Sequence, residues 1–161
     1  MSSNVWIYGD SINTDLVIAG KYTKTLNFQD LADHCMEDLD PTFAKMVKEG
    51  DYIVAGDNFG CGSSREQAPL ALKYSGIKAV LAKSFARIFY RNAINVGLPV
   101  IVCDTDEIKK SDSLEVDLDK GNIIVNGTRE IYFKKLPPIM QTILAEGGLA
   151  NFLKNRGECK I

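Results

Sequence analysis

The groups in this chain that could do chemistry crowd into one run, GDNFGCGSSREQAP, at residues 56–69. It follows the β-rich segment DYIVA and precedes an apolar stretch, so a strand is expected to feed a glycine loop that opens a helix. At such a turn, Gly60 and Gly62 free the backbone. The N–H groups around Ser63 and Ser64 would then point outward with the helix dipole behind them, an arrangement that attracts anions. The same letters also read as two overlapping capping boxes, Ser63 with Glu66 and Ser64 with Gln67, in which case both serines are caps and nothing more. Pro69 bears on both readings. A helix starting at Ser63 puts the proline in its second turn and deprives the Arg65 carbonyl of its donor, whereas a helix starting near Ala68 puts Pro69 at its first position. Either way residues 63–66 sit in non-ideal backbone, which functional loops tolerate more often than structural ones.

Two rival chemistries fail on spelling. A phosphate loop needs G-x-x-x-x-G-K-S/T, and no lysine precedes these hydroxyls. A dinucleotide fingerprint needs G-x-G-x-x-G, of which only Gly60-x-Gly62 is present. Cys61 near a helix start could be a low-pKa thiol, but no histidine stands near it in sequence, and a small buried thiol is the reading preferred.

The elements that must position this loop follow from hydrophobic pattern. Residues 5–8 form a short apolar strand that breaks at Gly9-Asp10, after which a long polar loop is expected to about Phe28. The stretch QDLADHCM has a modest helical pattern through Leu31 and Cys35, and Pro41 and Gly50 bracket a second possible helix. After the glycine loop, ALKYSG ends a helix in a glycine, KAVLA is a buried strand, and a clear helix follows with Phe89, Ala93 and Val96 on one face. Ser84 is its candidate cap, and Gly97 with Pro99 closes it before the strand PVIVC. Strand, helix, strand, helix, strand from Asp51 to Cys103 predicts a parallel sheet with crossover helices. Further on, residues 114–118 and 122–125 around the turn DKGN predict a hairpin of a smaller β region, and a last helix from Pro138 to Phe152 is interrupted at Gly147-Gly148.

Bulk properties narrow the function. With 161 residues, 45% hydrophobic and 25% charged, residues 1–161 are expected to form a single domain with a real core. A net charge of -2 and a pI near 5.4 leave no basic footprint for nucleic acid and no membrane-surface face. The start MSSNVWIYGD has neither the charge nor the apolar run of a signal or anchor, so a cytoplasmic location is expected. The four cysteines, Cys35, Cys61, Cys103 and Cys159, are scattered, and His34 is the one further soft ligand; neither a disulfide framework nor a metal site within this chain is expected.

GDNFGCGSSREQAP and SFARIFYRNAINVGLP together resemble the small subunits of isopropylmalate isomerase and homoaconitase, which are similar to the mobile fourth domain of aconitase. The resemblance reaches back to YGDSINTDLVIAGKY and forward to AEGGLANFL, nearly the whole chain. It implies an α/β fold: a swivelling β/β/α domain with a mainly parallel sheet flanked by helices and a small additional β region. It implies a hydro-lyase that isomerises a small anionic 2-hydroxy acid by dehydration and rehydration. It further implies a separate large subunit holding a 4Fe-4S cluster on three cysteines of its own, and no cofactor in this chain. On this resemblance Ser63 falls on the serine whose alkoxide removes a proton from carbon next to a carboxylate. A serine is a poor base alone, and loop N–H groups, a helix N-terminus and Arg65 would favour its anion. Arg65 matches the arginine that clamps a substrate carboxylate through its planar fork, and Ser64 a second substrate-binding serine. Asn13, Thr14 and Asp15 match an N-T-D element beside that serine, although alone it reads as a turn or cap. Arg87, Arg91 and Asn92 match supports for the loop or for the large-subunit interface.

The chain also departs from that pattern. Many relatives read I-I-P-x-R-Y-L where this one reads VIAGKYT at residues 17–23, without the proline and with Lys21 for arginine. The following Thr23-Lys24-Thr25 corresponds to the segment that meets the substrate's variable group, so Lys24 and Thr25 are candidate substrate contacts. Lys24 would suit an additional distal carboxylate, and Gln67 replaces a histidine common in isopropylmalate enzymes; both tilt towards homoaconitase or a methylated-malate dehydratase. Isopropylmalate, in leucine biosynthesis, stays first because it is the commonest role of such free-standing subunits. A non-catalytic carboxylate-binding module is the alternative of another class, and the intact pair Ser63 and Arg65 argues against it.

Overall fold

The structure is a computed structural model and describes residues 3–157; Cys159 lies outside the described residues. Four short strands, β1 (Val5–Ile7), β2 (Tyr52–Val54), β3 (Ala79–Ala82) and β4 (Val100–Val102), pair in parallel in the order β1-β2-β3-β4. When neighbours in sequence are neighbours in a parallel sheet, right-handed crossovers place every connecting helix on the same face. That is where they lie. Trp6, Ile53, Val80, Ala82 and Val100 pack with Leu31, Phe43, Leu72, Phe89, Leu144 and Phe152 from the helical layer. The alternate residues, Val5, Tyr52, Val54, Leu81 and Ile101, pack instead on Leu114, Ile123 and Val125. Successive strand side chains point to opposite faces, so a sheet covered on both sides reads as the unbroken apolar runs YIV and AVLA.

The second layer is an antiparallel sheet of β5 (Leu114–Asp117), β6 (Asn122–Val125) and β7 (Arg129–Tyr132) in that order. The hairpin matches expectation. Its third strand was not foreseen, because RE-I-Y is a largely exposed edge strand without apolar alternation.

The helical layer comprises α1 (Thr14–Val17), α2 (Phe28–Asp33), α3 (Phe43–Met46), α4 (Gln67–Tyr74), α5 (Arg87–Val96), α6 (Pro138–Ala145) and α7 (Leu149–Asn155). Gly97 ends α5 at φ 88°, and Gly147-Gly148 separate α6 from α7, as the sequence indicates. Four expectations need correction. The long polar loop after β1 instead carries the single-turn helix α1 and a 3-10 turn, Gly20–Tyr22, and buries Val17 and Ile18 completely. The helix bracketed by Pro41 and Gly50 is one turn, α3. Neither capping box forms: α4 begins at Gln67 with no side-chain cap, which puts Pro69 in its first turn, where no N–H is needed. Ser84 does not cap α5, whose N-cap is Ala86; its Oγ accepts from the Asn58 N–H at 2.7 Å and donates to Asp57 at 3.2 Å.

Carboxylates hold several loops shut. At Asp40, burial opposes the anion, but bonds from the Thr42 hydroxyl and N–H (2.6 and 3.1 Å) and the Tyr8 hydroxyl (2.9 Å) outweigh it and keep its carboxyl below the ordinary 3.8. Asp112 is held below that value by the Lys109 N–H and the Asn126 amide. A carboxyl depressed in the folded state contributes stability that is complete above its unfolded pKa and lost as pH falls through the folded one. The urea midpoint should therefore drop between about pH 5 and about pH 2, and Asp40→Asn should flatten that drop. Identical acid profiles for the two chains would contradict this.

Candidate functional site

The loops that leave the carboxyl ends of β1, β2 and β3 meet along one edge of the sheet, the usual location of ligand sites in open α/β folds. They are laced by backbone bonds that extend the strand pairing. Ser11 N–H donates to Asp57 O, Gly60 N–H to Ile12 O, Thr14 N–H to Cys61 O, Phe59 N–H to Ser84 O and Ala86 N–H to Phe59 O, all at 2.7–3.0 Å. Gly60 takes φ 83°, and a β-carbon there would stand 2.1 Å from Phe89 Cγ, so only glycine lets the loop lie on α5. Gly62 also has a left-handed backbone, at φ 93°, but a β-carbon there would make only ordinary contact with Asn13 and Thr14.

These contacts build an open cleft of about 270 Å³, lined by Thr14, the glycines, Ser63, Ser64 and Arg65 on one side and Ala86, Arg87, Ile88 and Phe89 on the other. Ser63 and Ser64 are exposed on its wall. Each residue of the N-T-D element has a separate task. Asn13 caps α1, its Oδ1 accepting from the Leu16 N–H at 2.9 Å. Thr14, only 2% exposed, donates its hydroxyl to the Ser63 carbonyl at 2.8 Å and lies 3.4 Å from the Ser63 hydroxyl. Asp15 pairs with Arg65 at 2.6 Å. Arg65 also donates to the Ile18 carbonyl at 3.3 Å, and the bare backbone of Gly20 lies against its guanidinium.

Other candidates stand outside the cleft lining. Lys24 is exposed beyond the 3-10 turn, and the Thr25 hydroxyl donates to Asp30 at 3.1 Å while accepting from the Asn27 N–H. Arg91 and Asn92 lie further along α5, whereas Arg87, its first residue, lines the cleft. Sequence reasoning placed the helix terminus at the glycine turn, but the start that reaches the cleft is that of α5. Recognising it required the parallel bridge between Phe59 and Phe85, which pulls Ser84 out of the helix and leaves Arg87 and Ile88 on the wall. Their N–H groups belong to the first turn, where no intrahelical acceptor exists.

No three His, Cys, Asp or Glu side chains converge to hold a metal among the described residues. Burial pushes the Cys35 thiol up and the Cys103 thiol up to about 12, aided at Cys103 by Asp104, and both side chains are buried in the core. Cys61 is half-buried rather than buried. The donor set does not fit an iron–sulfur cluster in the described part of this chain. No helix among the described residues is long and apolar enough to cross a membrane.

The fold is a three-layer β/β/α domain with serines and an anchored arginine at the carboxyl edge of its parallel sheet. The chain belongs to the aconitase C-terminal domain family, whose model matches residues 9–105. It is similar to 3-isopropylmalate dehydratase small subunit 2 of Archaeoglobus fulgidus, 56% identical over 164 residues that span 100% of this chain and 99% of that one. It is equally similar to the methanogen homoaconitase small subunit of Methanocaldococcus jannaschii, 57% identical over 150 residues, 92% of this chain and 88% of that one. The crystal structure of 3-isopropylmalate dehydratase from Methanocaldococcus jannaschii superposes with a TM-score of 0.91 at 55% identity, covering 97% of this chain and 94% of that one.

Because Gly60 combines a left-handed backbone with contact against Phe89, Gly60→Ala should destabilise the chain by at least about 2 kcal/mol in urea unfolding. Unchanged stability would show that the loop does not rest on α5 as described.

Proposed function

We propose that this chain is the small subunit of a two-chain hydro-lyase that isomerises a 2-hydroxy acid, with 3-isopropylmalate as substrate, and that residues 1–161 act as one swivelling domain over a separate large subunit. The observation that carries the reading is the cleft itself: an exposed Ser63 hydroxyl, fixed through its own carbonyl by Thr14, beside an arginine whose fork is already oriented by Asp15. Relatives of matching length bearing the small-subunit name support it.

In this reading Arg65 binds a substrate carboxylate through two parallel N–H bonds, exchanging Asp15 for the ligand. Ser64 donates a further bond. The alkoxide of Ser63 takes the proton from the carbon next to that carboxylate and returns it, on the neighbouring carbon, when water adds back. Its charge is favoured by Arg65, the loop N–H groups and the first turn of α5. Loss of the substrate hydroxyl needs a Lewis acid, which we assign to a 4Fe-4S cluster on the large subunit. An alkoxide open to water gains little from such dipoles, because solvent both screens them and reprotonates it. The open cleft therefore calls for a cover, which the partner supplies. The free thiols of Cys35, Cys61 and Cys103 accord with a reducing cytoplasm.

One observation favours a second reading. Lys24 stands exposed where a point charge could meet a distal carboxylate, and the homoaconitase relative is as similar as the isopropylmalate one.

Co-expression with a candidate large chain should give a brown, oxygen-sensitive complex with hydro-lyase activity. Ser63→Ala should lower its kcat by about 10³-fold or more with assembly intact; undiminished dehydration would overturn the reading. Arg65→Lys, which keeps charge but loses the fork, should raise KM by about tenfold or more. A KM unaltered by that change would remove Arg65 from the carboxylate site.

A further inference from the structure

The stretch after α1 is a self-bonded unit that two side chains of the serine-bearing segment hold by its backbone carbonyls. Within it, Tyr22 N–H donates to Ala19 O at 3.0 Å, and the Thr23 hydroxyl and N–H both donate to Gly20 O at 2.8 and 3.2 Å. From outside, Arg65 holds the carbonyl of Ile18 at 3.3 Å, and the amide of Gln67 holds the carbonyl of Thr23 at 3.2 Å. On its far side Tyr22 stacks on His34 at 3.9 Å and donates to Glu37.

The two anchors differ in what else they do. Arg65 is shared with Asp15 and lines the cleft. Gln67 is half-buried, lines no part of the cleft, and its side chain makes this one hydrogen bond among the described residues. Its acceptor is a backbone carbonyl, so the contact is indifferent to the side chain at position 23 and depends on the one at 67. Immediately beyond that carbonyl the chain presents Lys24 to solvent, and then Thr25 turns back to Asp30. Of the contacts that hold this stretch, those nearest Lys24 are the Gln67 bond on one side and the Thr25–Asp30 bond on the other.

We propose that Gln67 is a positioning residue for substrate selection: its N–H bond to Thr23 sets how far the Lys24 rim stands from Arg65. It thereby sets how well the site accepts an acid whose substituent ends in a carboxylate rather than a branched alkyl group. The inference rests on the hydro-lyase reading and deepens it. Gln67 touches neither substrate nor reacting atoms, and its effect passes through the loop.

The test compares the wild-type two-chain complex with Gln67→Met, which keeps the shape without the donor, and Gln67→His, which keeps an N–H. Affinities are measured for a malate with a carboxylate-ended substituent and for one with an isopropyl group, each as KM or as a competitive inhibition constant. Gln67→Met should lower the affinity for the carboxylate-ended acid relative to the isopropyl one by about fivefold, as loss of one neutral hydrogen bond allows, and Gln67→His should keep most of the wild-type ratio. In the full chain alone, amide exchange over residues 20–25 should be faster in Gln67→Met. An unchanged preference in Gln67→Met, an equal shift in both variants, or unchanged exchange would overturn the inference while leaving the hydro-lyase reading intact. A wild-type complex that dehydrates no 2-hydroxy acid would sink that reading instead.

Discussion

A buried hydroxyl governs this site. Thr14 sits at the start of a one-turn helix, out of solvent, and its hydroxyl donates a hydrogen bond to the carbonyl of Ser63 on a loop 49 residues later. A buried hydroxyl without an acceptor costs about 1–3 kcal/mol, so the bond does more than decorate the turn. It decides which way the serine faces. The remaining contacts of the edge serve the same end: the Thr14 N–H holds Cys61, the Gly60 N–H holds Ile12, and Gly60 lies so close to Phe89 that no side chain fits between. These bonds join three loops into one surface.

The sheet explains why that surface is where it is. Its strands are only three or four residues long, so the pairing that defines β2 and β3 continues past their ends as the bridge between Phe59 and Phe85. The helices on one face and the small antiparallel sheet on the other leave the carboxyl ends of the strands as the edge along which three loops converge. A domain built this way presents a half-site. It offers oriented donors and an arginine, yet leaves its serines in water, where a strong base does not persist. On the proposed reading its chemistry would depend on being covered, and the division of labour between two chains would follow from electrostatics as much as from ancestry.

Much of this was legible in the sequence, and the parts that were not share a cause. The buried strands, α5 with its glycine stop and the hairpin at 122–125 follow from local pattern, because burial on both faces writes itself into unbroken apolar runs. The capping box at Ser63 and the cap at Ser84 were equally good local patterns that lost to distant partners: Thr14 claims the Ser63 carbonyl, and Asn58 and Asp57 claim Ser84. The burial of Val17 and Ile18 was hidden because the short apolar run at residues 16–19 lies between polar stretches. At the site, the grouping of Ser63, Ser64, Arg65 and Thr14 came from motif resemblance and not from any periodicity. The ion pair of Asp15 with Arg65 and the bond of Gln67 to Thr23 join positions 50 and 44 residues apart, and no local rule could have joined them.

The measurement that bears most directly on this account is a crystal structure of the complex with its large subunit and a non-reacting substrate analogue. The account requires the Ser63 oxygen to lie within about 3–3.5 Å of the carbon that loses its proton, with a carboxylate on Arg65 in place of Asp15. A serine oxygen turned away from that carbon, with another side chain at the proton, would contradict it.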